Sequence, residues 1–136
     1  MDGGEKMYAR ANIQNTYQQN SAMTASPLDL VIMLYDGLIK NLKLADIYAS
    51  EKNYEKVNSC CIKAEAILGE LMSDLDMKYS MSKGLFDLYE FMLNTTINAN
   101  ATKEMTELRA IAGMLEELRD TWKSIRGSTG TTYSQE

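Results

Sequence analysis

The chain contains no histidine, and that absence removes more chemistry than any residue present suggests. It takes away the usual general base of hydrolytic and acyl-transfer sites. It also rules out the Glu-x-x-His motifs that hold a di-iron centre inside a helical bundle. There are only two cysteines, Cys60 and Cys61. Adjacent on a helix, they point about 100° apart, which is poor geometry for a mutual disulfide. With no second pair at ligand spacing they read as small apolar fillers rather than a metal or redox site. A glycine-rich phosphate loop is missing too, because Gly3-Gly4 and Gly127-x-x-Gly130 stand in terminal segments with no strand before them. Lys and Arg number 14 against 19 Asp and Glu, for a net charge of −5 and a pI near 4.8, and the basic residues are scattered. Without a basic stripe, nucleic acid is not an expected partner. No uninterrupted apolar run reaches membrane-spanning length, so membrane insertion is not expected either. The opening Met-Asp-Gly-Gly-Glu-Lys lacks the basic-then-apolar order of a secretory signal, so the expected location is the cytosol. No catalysis, cofactor or metal is expected.

What the chain does have is one strongly apolar, well-started helix. Ser26 is placed as an N-cap, Pro27 at the first helical position and Asp29 three residues after the cap, where a carboxylate meets free backbone donors. Between Leu28 and Ile39 only Asp29, Asp36 and Gly37 interrupt apolar residues and Tyr35. Leu28, Val31, Tyr35, Leu38, Leu42 and Ala45 form one helical stripe with Leu34 beside it, suited to a bundle core. Ile32, Met33 and Ile39 fall instead beside the polar line of Asp29, Asp36, Lys40 and Lys43. A helix apolar nearly all round is either central to a larger core or lends a face to a partner. Both remain open for these three residues, and the second makes them candidate partner contacts.

In chain order, residues 1–25 are polar, with Tyr8, Ile13, Tyr17 and Met23 as their sizeable anchors. They form either a mobile tail or a cap segment whose anchors lie over an apolar groove, which adds Tyr8, Ile13 and Tyr17 to the candidate contacts. Periodicity predicts helices from Pro27 to about Ser50, from Tyr54 to about Met77 behind Asn53, and from about Lys83 to Asn100 behind Ser80 or Ser82. The fourth is predicted from Lys103 to about Arg126, with Thr102 as cap and Gly127 as stop. The third helix carries Leu85, Phe86, Leu88, Tyr89, Phe91, Met92, Leu93 and Ile97, more apolar surface than one face holds. Short links and three-and-four spacing predict an all-α fold, an antiparallel up-down four-helix bundle over 26–126. Against it packs a short N-terminal helical or extended segment, 1–25, and a disordered tail follows, 127–136. The carboxylate pairs Glu116-Glu117 and Asp74-x-Asp76 read as solvated charge. The surplus apolar surface and the ten methionines point to an interaction protein.

Several runs then resemble one family in order and spacing. They are Tyr17-Gln18-Gln19-Asn20-Ser21, Thr24-Ala25-Ser26-Pro27, and above all Leu30-Val31-Ile32-Met33-Leu34-Tyr35-Asp36-Gly37. Further on come Ile62-Lys63-Ala64, Glu70-Leu71-Met72, Leu88-Tyr89-Glu90-Phe91-Met92 and Leu115-Glu116-Glu117-Leu118-Arg119-Asp120-Thr121-Trp122. Over about Tyr17 to Ile125 the chain resembles the flagellin-specific export chaperones of the FliS family. It departs from them at Ile13-Gln14, Gly84 and Asn94-Thr95-Thr96. The resemblance implies a cytosolic chaperone that binds the disordered C-terminal region of flagellin, prevents premature polymerisation and delivers it to the flagellar type III export gate. It also implies that the segment with Tyr8, Ile13 and Tyr17 covers the groove when empty. The alternative is a structural bundle that spends its surplus surface on a weak homodimer.

Overall fold

The computed structural model of the protein describes residues 26–135, with side chains through Arg126, so Tyr8, Ile13 and Tyr17 lie outside the described residues. Four helices follow one another: α1 (Pro27–Ser50), α2 (Tyr54–Ser73), α3 (Ser80–Thr102) and α4 (Thr106–Gln135), with no strand among the described residues. Each helix packs against its chain neighbours, and α4 returns to α1, closing an up-down-up-down ring; α1 faces α2 and α4, while α3 meets α4 most sparingly.

The start of α1 is the one its sequence dictates. Ser26 Oγ accepts from the Asp29 backbone N–H at 3.1 Å, and the Ser26 N–H donates back to Asp29 Oδ2 at 3.2 Å. This capping box satisfies two donors at once and, through the backbone bond from Ser26 first of all, holds the Asp29 carboxyl below its usual range. Asn53 caps α2 through its side chain, accepting from the Lys56 N–H at 3.3 Å.

The later boundaries differ from the periodicity. α2 stops at Ser73 rather than Met77, and α3 begins at Ser80 with no side-chain cap. The Ser82 hydroxyl donates instead to the Asp76 carbonyl at 2.6 Å, tying the α2–α3 connection to the first turn of α3. Thr102 ends α3 instead of starting α4, because Lys103 turns left-handed at φ 62° and breaks the helix there. Glu104 then accepts from the Thr106 N–H at 3.2 Å at the first turn of α4. Gly127 does not stop α4, whose backbone continues to Gln135, and no described glycine takes a positive φ.

The core is built from the expected stripes. Tyr35, Leu38 and Leu42 of α1, Val57, Cys61 and Leu68 of α2, Tyr89 and Met92 of α3, and Leu108, Ile111 and Leu115 of α4 are all but completely buried. Removing such side chains from water supplies roughly 1.5 to 3 kcal/mol apiece for the large ones, before entropy is charged against it. At Gly37 an added Cβ would meet Ile67 Cδ1 at 3.4 Å, so α1 and α2 approach closely there.

One flank of α4 is registered on α1 by charge. Asp29 pairs with Arg126 and Asp36 with Arg119 at 3.1 Å, and Lys43 pairs with Glu116 and Asp46 with Arg109 at 2.9 Å. Pairs this exposed contribute little stability each. Their spacing along both helices marks the antiparallel register and the rotation of α4, which the burial of Leu108, Ile111 and Leu115 sets.

Candidate functional site

With α4 turned so that Arg109, Glu116, Arg119 and Arg126 face α1, its opposite flank looks toward α3. That flank carries Met114, Leu118, Trp122 and Ile125. The matching flank of α3 carries Gly84, Leu88, Phe91 and Thr95. Here the ring of helices is least tightly closed. Phe91 is 54% exposed, Met114 and Ile125 are also exposed, and Leu88, Leu118 and Trp122 are half-buried against the core. The seam is thus an apolar strip running along α3 and α4.

At the core side of the seam sits an aromatic group. Tyr35 and Tyr89 share a buried hydrogen bond between their hydroxyls at 2.6 Å, with either oxygen able to donate, and their rings meet edge to face at 6.3 Å. The Trp122 ring meets Tyr35 edge to face at 6.4 Å. Burial raises the pKa of both phenols, so both stay protonated; at Tyr89 the neighbouring Tyr35 adds to the rise. Trp122 Nε1 is buried with no acceptor in hydrogen-bonding geometry, although its N–H lies near enough to Tyr35 to oppose that residue's pKa rise.

The three α1 candidates separate. Ile32 is 3% exposed and Ile39 4%, while Met33 is half-buried. Of the two alternatives left open for these residues, burial in the bundle holds for Ile32 and Ile39, while Met33 is only partly covered. Because α1 packs against α2 on one side and α4 on the other, its coverage is wider than a single stripe, and Ile39 joins the main core. Exposed large apolar side chains stand instead at Met81, Phe91 and Ile97 of α3 and Met114 and Ile125 of α4, as well as at Ile47, Tyr54 and Ile62. Sequence reasoning recognised that α3 was apolar on more than one face. It did not single out Phe91 or Met114, because the flank that stays open depends on how α4 is rotated.

Among the described residues, no three His, Cys, Asp or Glu side chains converge as a metal site, and no described helix is long and apolar enough to cross a membrane. Cys60 and Cys61 are buried free thiols, and burial raises both pKa values, away from the reactive thiolate.

An all-α bundle that presents an open apolar seam is the architecture of a helical binding protein, and the comparisons make it specific. Residues 9–129 match the family described as flagellar protein FliS. The chain is 33% identical over 112 residues to the flagellar secretion chaperone FliS of Bacillus subtilis, covering 82% of this chain and 84% of that one. To the chaperone of the same name from Escherichia coli it is 24% identical over 123 residues, 88% of this chain and 87% of that one. A solved structure titled as a flagellar chaperone from bacteria superposes with a TM-score of 0.72 at 21% identity, over 88% of this chain and 98% of that one, and so shares the fold. The chain belongs to the FliS family of flagellar secretion chaperones.

Proposed function

We propose that this protein is a non-catalytic, cytosolic chaperone that holds the C-terminal region of flagellin, keeps it from polymerising, and passes it to the flagellar export gate. The observation that carries the reading is the open seam between α3 and α4, where Phe91 stands exposed beside Leu88 and opposite the flank of Met114, Leu118 and Trp122. A flagellin segment that forms filament-core helices has apolar faces when unassembled, and laying such a face on a helical seam buries it reversibly. The names of the relatives, flagellar secretion chaperones, fit this role.

The contact assigned from sequence to Tyr8, Ile13, Tyr17, Ile32, Met33 and Ile39 is kept as a proposal in narrower form. Half-buried Met33 is the one of the three described residues proposed to meet a client directly, whereas Ile32 and Ile39 contribute only if the packing that buries them opens. The experiment is calorimetric titration of the full-length protein with flagellin and with flagellin lacking its C-terminal region. One-to-one binding to the first and none to the second is expected. Equal binding to both would remove the reading.

A further inference from the structure

A second apolar surface lies on the other flank of α3. Asn100 Nδ2 donates to Asn58 Oδ1 at 2.8 Å, which sets α3 against α2. One turn along both helices from that bond, Ile62 of α2 and Ile97 of α3 come side by side, 53% and 45% exposed. The next turn adds half-buried Ala66 and Leu93. Beyond them is Gly69, where an added Cβ would touch nothing within 4 Å, so a partner's backbone has room. Glu65 sits on the same α3-facing edge of α2, half-buried, and has no hydrogen-bond or ionic partner among the described residues; desolvation is what acts on its carboxylate. Ile97 lies about 120° around α3 from Phe91, so the two apolar surfaces are separate.

We propose that the Ile62–Ile97 surface docks a helix from another protein, one that lays an apolar stripe across Ile62, Ala66, Leu93 and Ile97 and carries an arginine or lysine in that stripe for Glu65. A partly desolvated carboxylate in apolar surroundings is costly when unpaired, and a cation from outside is the group that completes it. The same carboxylate argues against a second copy of this chain as occupant. A two-fold contact centred on the patch brings Glu65 against its own copy, like charge against like. The inference does not depend on the α3–α4 seam being the client site, since it uses the opposite flank and leaves that seam free.

The probe is a synthetic 18-residue helix-forming peptide with leucines at i, i+3, i+4 and i+7 and one arginine in the stripe, alongside a twin with glutamate in its place. Each is titrated into the full-length protein by calorimetry, with backbone amide shifts locating the contact. The arginine peptide should bind at least tenfold tighter than its twin, moving the amides around Ile62, Leu93 and Ile97. The preference should vanish in Glu65→Gln. Ile62→Ser and Ile97→Ser should each weaken binding while leaving the melting temperature in place, because both side chains are exposed. The proposal is overturned by equal binding of the two peptides or by no binding of either. A preference that survives Glu65→Gln, or shifts confined to Phe91 and Trp122, overturns it as well. So does a wild-type homodimer, seen by light scattering, that Ile62→Ser dissociates.

Discussion

Tyr35 and Tyr89 join hydroxyl to hydroxyl at 2.6 Å across the bundle, although their helices α1 and α3 are diagonal and do not approach one another as backbones. The hydrogen bond, together with the edge-to-face contact of the two rings, therefore ties two diagonal helices directly to one another. Replacing Tyr35 with Phe leaves the Tyr89 hydroxyl buried without its partner, at an expected cost of about 1 to 3 kcal/mol. The double variant Tyr35→Phe with Tyr89→Phe removes both polar groups and should be more stable than the two single losses added together. Urea unfolding of the four proteins measures the coupling. Strict additivity would mean that the bond does not hold α1 to α3.

Stability should fall as the solution becomes alkaline, and the buried thiols and phenols set the window. The Cys61 thiol is pushed from 9.0 up to about 11, first by burial and then by the charge of Glu65, and the pKa values of Cys60, Tyr35 and Tyr89 are raised in the same direction. Above about pH 9 the unfolded chain gives up protons that the folded chain retains. The unfolded state then binds fewer protons, and stability declines with rising pH. The thiols' contribution is complete below pH 9 and the phenols' below pH 10; each is lost above that bound, at roughly 1.4 kcal/mol per pH unit until the folded group itself ionises. Urea unfolding from pH 8 to 11 should show the decline, and Cys61→Ala should make it shallower between pH 9 and 11. An unchanged slope would show that Cys61 keeps no proton advantage on folding.

The amphipathic stripes made the four helices and most of the core legible in the sequence. Tyr35, Leu38 and Leu42 could be placed from spacing alone, and Ser26 and Asn53 from cap chemistry. The boundary between α3 and α4 was not legible, because Lys103 adopts a left-handed conformation that nothing in its residue type signals. Nor was the fate of Ile39. It lies beside Asp36 and Lys40 on the helical wheel, and only the packing of α1 against both α2 and α4 buries it. The open flank of α3 was hidden for a related reason: it follows from the rotation of α4, which the burial of Leu108, Ile111 and Leu115 decides in three dimensions.

Two backbone positions carry avoidable cost. Lys52 takes φ 60° just after α1, and Gly84 lies inside α3 with nothing within 4 Å of where its Cβ would stand. Lys52→Gly should stabilise by roughly 0.5 to 1 kcal/mol by removing left-handed strain, and Gly84→Ala by a similar amount through helix propensity. Lys103→Gly should gain less than Lys52→Gly, since Lys103 Nζ donates to Asn100 Oδ1 at 2.6 Å and that bond is forfeited. Thermal unfolding ranks the three. A Lys103→Gly gain above that of Lys52→Gly would show that the Asn100 contact contributes nothing.

A carboxylate placed at Phe91 and one placed at Ile39 should fail in different ways. Phe91 is exposed on the α3–α4 seam, so Phe91→Asp removes apolar contact surface without burying a charge, and the fold should survive it. Ile39 packs in the main core, where Asp brings an uncompensated charge into an apolar site, so Ile39→Asp should unfold the protein or cost it several kcal/mol. With Phe91→Asp, flagellin affinity measured by calorimetry should fall at least tenfold, about 1.4 kcal/mol, at an unchanged melting temperature. Met33→Asp, at a half-buried position on α1, separates the two proposed client surfaces. If Met33→Asp abolishes binding while Phe91→Asp leaves it intact, the client sits on α1, and the open seam serves something else.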